Sequence, residues 1–284
     1  MAERSGDRRE RRARRAASFT MGALALAVLS GLCVALSGPG HRLGFLGTRW
    51  ALGVFALAAL GGLAAAALAA WGLALALTAR AWRSVAGSAL ALLVALAAAA
   101  PLLAMVRAGA AVPVLHDITT DTESPPQFVA LRPQRAASEN GAAYGGRTVA
   151  AQQKRGYPDL APLALALPPK QAFARVEAAA RAMGWRIVAA VPAEGRLEAS
   201  DTTRWFGFTD DIVVRVRPAP SGSRIDVRSA SRVGRSDLGV NARRIRAFLA
   251  ALRGQVLKSD IRAVAAPSAG PATAREIRMS DFKT

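Results

Sequence analysis

The chain has 284 residues, and its 38 Lys+Arg against 19 Asp+Glu give a formal net charge of +19. A single cysteine, Cys33, excludes an intrachain disulfide, and two histidines, His41 and His116, are too few for a multi-histidine metal site. The charge invites a nucleic-acid reading, but its distribution points elsewhere.

Residues 1–17 hold seven Arg against Glu3, Asp7 and Glu10. Directly behind them, residues 18–106 are rich in Ala, Leu, Gly and Val, with only Arg42, Arg49, Arg80 and Arg83 as charges. A helix needs about 20 apolar residues to cross a ~30 Å hydrocarbon core. The segments 18–38, 51–79 and 85–106 meet that length and predict three N-terminal transmembrane helices. An Arg cluster abutting a span stays in the cytoplasm under the positive-inside rule. Residues 1–17 are then a basic cytoplasmic tail, the loop 39–50 faces out, the turn with Arg80 and Arg83 faces in, and 108–284 lie outside. This is the topology of a multi-pass protein of a cytoplasmic membrane with an extracytoplasmic domain, out of reach of nucleic acid. Ala35-Leu36-Ser37 also reads as a signal-peptide cleavage site, but the reading taken is a retained anchor.

Residues 107–162 carry six prolines and five glycines and sustain no period of 2 or 3.6. They are expected to be an irregular arm, either docked or acting as a tether. From residue 163 the pattern turns regular. Leu163, Leu165 and Leu167 alternate as in a short strand. Pro168-Pro169 opens a helix with the stripe Phe173, Val176, Ala180 and Met183, ended by Gly184. Strands follow at 185–191 and 196–202. In the last hairpin, core-facing side chains must oppose one another, which pairs Val216 with Ile225 and Val214 with Val227. Arg215 then faces Asp226, while Arg217 faces Arg224, an unfavourable pair unless an anion lies between them. A final helix near 239–253 has the core stripe Ile245, Phe248, Leu249 and Leu252, a cap from Ser236 or Asp237, and Gly254 as its stop. Residues 255–284 read as a disordered tail. The domain 163–254 is therefore expected to be α+β, an antiparallel sheet with two helices on one face.

Three constellations bear on function. His116, Asp117 and Asp121 form a polar cluster with the chemistry of a hard-metal or hydrolytic site, but Asx and Ser/Thr turns in a proline-flanked loop account for it better. The segment 201–211 holds Trp205, Phe206 and Phe208 between acids. It is read as a core-packing connection or, since Trp favours interfaces, a binding rim or membrane-surface contact. Arg228, Arg232 and Arg235 run into the helix start at Asp237, and Arg215, Arg217 and Arg224 lie on the outer sheet face. Together they read as a solvated charged face or as a basic surface for an anion.

The strings LHDITTDTESPPQF (115–128), AYGG (143–146), QQKRGYPDLAPL (152–163), ASDTTRWFGFTDDIVVRVRP (199–218) and DVRSASRVGRSDLGVNARRIRAFL (226–249) resemble the bacterial family catalogued as domain of unknown function 1499. The likeness covers about 113–253. It implies an envelope protein and supplies no activity, but it adds weight to His116, Asp117, Asp121, Trp205, Arg235 and Asp237.

The leading expectation is a membrane-anchored, non-enzymatic module. It binds an anionic lipid, a glycan or an envelope protein through Arg215, Arg217, Arg228, Arg235, Asp237 and Trp205, with no cofactor or metal. The alternatives are a carboxylate- or metal-dependent hydrolase and a structural component whose Gly- and Ala-rich spans pack into an oligomer.

Overall fold

The computed structural model describes residues 2–265. Its first three helices are α1 (Ala2–Arg42), α2 (Thr48–Ala79) and α3 (Trp82–Ala110), and each contains one of the spans predicted from sequence. Even α3, at 29 residues, rises about 44 Å at 1.5 Å per residue. α1 absorbs the Arg-rich start, so the described part of the basic tail is a helical extension. Arg9 Nε donates to the carbonyl of Ala79 at 3.0 Å, satisfying one of the orphan acceptors at the end of α2.

The bundle interior is built from methyl groups. Ala23, Ala69 and Ala91 form one layer, and Ala27, Ala65 and Ala95 form the next, each helix supplying one residue. Lipid gives helices no hydrophobic drive toward each other, so close van der Waals approach of small residues must hold them. Gly62 shows how close: a Cβ there would lie 3.0 Å from the Ala95 carbonyl oxygen. Thr20 and Ser88 share a buried hydroxyl–hydroxyl bond of 2.7 Å. Met21, Leu57 and Leu93 point outward.

The remaining elements form one antiparallel sheet and four helices. The strands are β1 (Asp117–Thr119), β2 (Leu163–Leu165), β3 (Arg186–Val191), β4 (Arg196–Thr202), β5 (Thr209–Ala219) and β6 (Gly222–Ser231). Their order is β1-β6-β5-β4-β3, with β2 also on β6. The hairpin register is the one parity requires: Val214↔Val227, Arg215↔Asp226, Val216↔Ile225 and Arg217↔Arg224. Helices α6 (Pro169–Ala182) and α7 (Val240–Ala265) cover one face. Phe173 and Val176 of α6, with Ile245, Phe248 and Leu252 of α7, meet Leu197, Ile212, Val214 and Val227 of the sheet. Trp185 stacks on Phe248 at 4.9 Å.

The arm departs from its expected irregularity. It contributes β1 and the helices α4 (Arg132–Ala136) and α5 (Gly146–Gly156); its Phe128–Arg135 stretch lies on the opposite sheet face, while Leu115, Val149 and Tyr157 join the core under α6 and α7. Phe128 and Leu131 pack there against Val213 and Ala230. These elements leave weak sequence signals for physical reasons. β1 is too short to alternate. α5 buries Gln153, whose amide takes the Thr119 N–H at 3.0 Å and gives a bond to the Thr119 carbonyl at 2.6 Å, so its inner face is polar. α7 runs through Gly254 to Ala265, past its predicted stop. Gly254 has no positive φ, and without a left-handed residue the helix has no cap to end on. The rest of the predicted tail, 266–284, lies outside the described residues.

Candidate functional site

Alternation along the strands sends Glu198, Asp211, Arg215, Arg217, Arg224, Asp226, Arg228 and Asp117 to the face away from α6 and α7. The basic outer surface expected there is not what forms. The arm covers this face, and its acids neutralise the arginines. Arg228 is fully buried and grips Asp117 with two bonds of 2.9 and 2.7 Å, while donating to the carbonyls of Pro126 and Ala142. Its guanidinium and that of Arg135 lie 4.8 and 4.7 Å from the centre of the Phe128 ring. Arg215 pairs with Asp121 at 3.1 Å and with Asp226 at 3.0 Å, and Arg217 and Arg224 contact the same two carboxylates. The anion needed between Arg217 and Arg224 is thus internal. Burial pushes the Asp121 carboxyl upward, but the Ser124 and Glu123 N–H groups with Arg224 and Arg215 outweigh it and leave its pKa below the ordinary value.

The predicted helix-start site is also filled from within. Asp237 accepts from Gly239 N at 2.7 Å and Asn241 N at 2.9 Å, capping α7. Burial raises its pKa in spite of those donors. Arg235 is exposed in the loop before it. The cluster of His116, Asp117 and Asp121 does not converge either. Asp117 is held by Arg228 and Asp121 by three arginines, while the buried Nδ1 of His116 has no partner. Among the described residues, no three His, Cys, Asp or Glu side chains are grouped to hold a metal.

An open binding geometry appears elsewhere, in a cleft of ≈ 600 Å³ between the loop after β1 and the helix α5. Thr122, Glu123 and Pro125 form one wall. The loop holds its shape because Asp121 Oδ1 accepts from the N–H groups of Glu123 and Ser124. The other wall is the stripe Arg147, Ala150, Ala151 and Lys154, spaced to share one side of α5. Gln153 and Val149, on other sides, face the sheet and core. α5 begins without a side-chain cap, so its first N–H groups are available beside Gly146 and Arg147. Tyr144 lines the same cleft, and its buried hydroxyl has no hydrogen-bond partner. Burial, reinforced by the Asp117 charge, pushes its pKa up to about 12, so it remains a donor at neutral pH. Lys154 meets Glu123 across the mouth at 3.5 Å. Sequence reasoning passed over Tyr144, Arg147 and Lys154. The AYGG string, a glycine pair ahead of a basic helix, was the available signal.

The aromatic segment reaches the membrane helices. Pro39 lies inside α1 and has no N–H for the carbonyl of Ala35. Trp205 Nε1 donates to that carbonyl instead, at 3.2 Å. Its indole lies on Gly38, where any Cβ would collide with the ring. Phe206 joins Val34, Ala51, Phe55 and Ala59. Its carbonyl oxygen sits 2.6 Å from His41 Nδ1, and Phe206 and Phe208 stack at 5.1 Å. The segment packs as a connection, and the core it packs into is the end of the helix bundle.

Three helices of membrane-crossing length and composition, carrying an antiparallel sheet sandwiched between α6–α7 and an ordered arm, define a membrane protein with an α+β domain. Residues 117–252 match the family described as "Protein of unknown function (DUF1499)", so the likeness in the motifs holds across the sheet domain and stops short of the bundle. Comparison with curated proteins finds no match.

Proposed function

We propose that this protein is a membrane-anchored binding module whose domain takes an anionic ligand in the cleft between the loop after β1 and α5. The observation that carries this reading is the cleft itself. Two cations and an uncapped helix start line a mostly apolar hollow, the usual composition of a small-molecule site. It keeps the anionic ligand expected from sequence and moves the site from Arg215, Arg217 and Arg228, which are occupied by internal carboxylates, to Arg147 and Lys154. In this reading the Arg-rich end of the bundle stays in the cytoplasm and the domain faces outward, where lipid headgroups, glycans and envelope proteins offer phosphates and carboxylates. A hydrolase centred on His116 is less favoured, because Asp117 and Asp121 are each tied to guanidinium groups.

The test is titration of the full-length protein in detergent with glycerol 1-phosphate, followed by calorimetry. Replacing Arg147 and Lys154 together by Ala should weaken binding at least about tenfold, or ~1.4 kcal/mol. Equal affinity in wild type and variant removes the cleft as the site.

A further inference from the structure

The joint between bundle and domain carries positive charge with no acid to balance it. The stretches 38–50 and 203–208 contain Arg42, Arg49 and Arg204 and not one Asp or Glu. The acids that flank the loop, Asp201 and Asp210, are both taken by Arg244, at 2.9 and 2.7 Å. Arg42 Nη1 donates to the backbone carbonyl of Arg204 at 2.6 Å, so the Arg42 guanidinium rests on a neutral acceptor of the residue that carries a second, exposed guanidinium. His41 Nε2 lies 3.0 Å from Thr48 Oγ1, which sets the start of α2, and with it Arg49, against the end of α1. Beside them Leu43, Phe45 and Trp50 are 70, 81 and 75% exposed. Large apolar side chains next to arginines at the end of a membrane helix match the chemistry of an amphiphile, not of a free ion. A guanidinium forms its strongest pairs with phosphate, in bidentate geometry.

We propose that this joint binds the headgroup of an anionic phospholipid. The phosphate bridges Arg42 of α1 and Arg204 of the β4–β5 loop, while Phe45 and Trp50 meet the acyl region. The lipid then fastens the domain to the bundle, adding charge-assisted bonds to the contacts made by Trp205 and Phe206. This rests on the joint alone and is independent of the cleft.

The experiment is hydrogen exchange on the full-length protein in nanodiscs, either of phosphatidylglycerol or of phosphatidylcholine, whose choline already pairs its phosphate. The readout is the amides of Gly207 and Phe208, which are bonded to Thr203 within the loop. In wild type they should exchange several-fold more slowly in phosphatidylglycerol. In Arg42→Gln/Arg204→Gln the two lipids should give equal rates, while β5 and β6 amides stay as protected as in wild type and report an intact fold. The charge-preserving pair Arg42→Lys/Arg204→Lys should retain part of the lipid dependence. Equal wild-type rates in the two lipids overturn the proposal, as does a lipid dependence that survives the double Gln change. Slowing by inorganic phosphate added to phosphatidylcholine discs overturns the lipid assignment in favour of a plain anion site.

Discussion

Asp121 shows how one carboxylate organises a surface that looked basic. It closes the loop after β1 through two backbone N–H groups and holds Arg215, Arg217 and Arg224 with Asp226. Its folded pKa lies below the ordinary value, so its stabilising contribution is present above about pH 4 and is lost as pH falls through the folded value. Denaturation midpoints of the full-length protein, taken across the acid range, should fall in this window. Asp121→Asn should lower the midpoint at neutral pH and flatten the acid slope, and an unchanged slope would place the titration elsewhere. The Arg217–Arg224 conflict was legible from parity, and so was its remedy, an anion. That the anion is protein was not legible, because Asp121 comes from a segment more than ninety residues away in the chain. For the same reason Arg228 looked like a surface cation when it is a buried partner of Asp117.

At the scale of elements, most strands and helices from 163 onward follow the apolar pattern, since each has one face in the core; β3 is the exception, because a bulge between Ile187 and Ala189 turns its later residues over. Elements whose buried face is polar or very small left no such trace. α5 rests on a glutamine amide and β1 on three residues. The Gly38-Pro39 step reads as the end of a span, yet it is a receptor within a continuous helix, and nothing near it in sequence announces Trp205. Turns were more legible. The turn at 192–195 ends on Gly195, whose φ is +61° and whose added Cβ would strike the Val216 carbonyl. Gly195→Ala combines left-handed strain with that collision and should cost ~1–3 kcal/mol, read as a shift in urea midpoint. A change within error would mean that β3, β4 and β5 can part there without loss. Gly195 N–H and its carbonyl bond Pro192 O and Val216 N, so the turn fixes β3 and β4 against β5.

On the scale of the whole molecule, the two ends of the bundle differ in kind. One end is an arginine helix, with Arg9 closing α2 and Arg80 and Arg83 at the following turn. The other carries the domain, joined through Trp205 and Phe206. The positive-inside rule predicts which end is cytoplasmic. A compartment-sensitive reporter fused after Arg253 should therefore register outside, and a cytoplasmic signal would reverse the orientation and reopen intracellular anions as ligands. Sheet topology adds a constraint of time. β1 follows α3 closely, but Asp117 meets Arg228, its ion-pair partner on β6, across 111 residues. Closing such a loop costs about 4 kcal/mol in chain entropy. As the chain leaves the ribosome, the first strand of the sheet is already tethered to an inserted helix while its neighbour is still unmade. Chain order then sets the order in which parts become available: the bundle helices are made first, and the sheet can close only when β6, with α7 after it, reaches an early strand held at the end of α3.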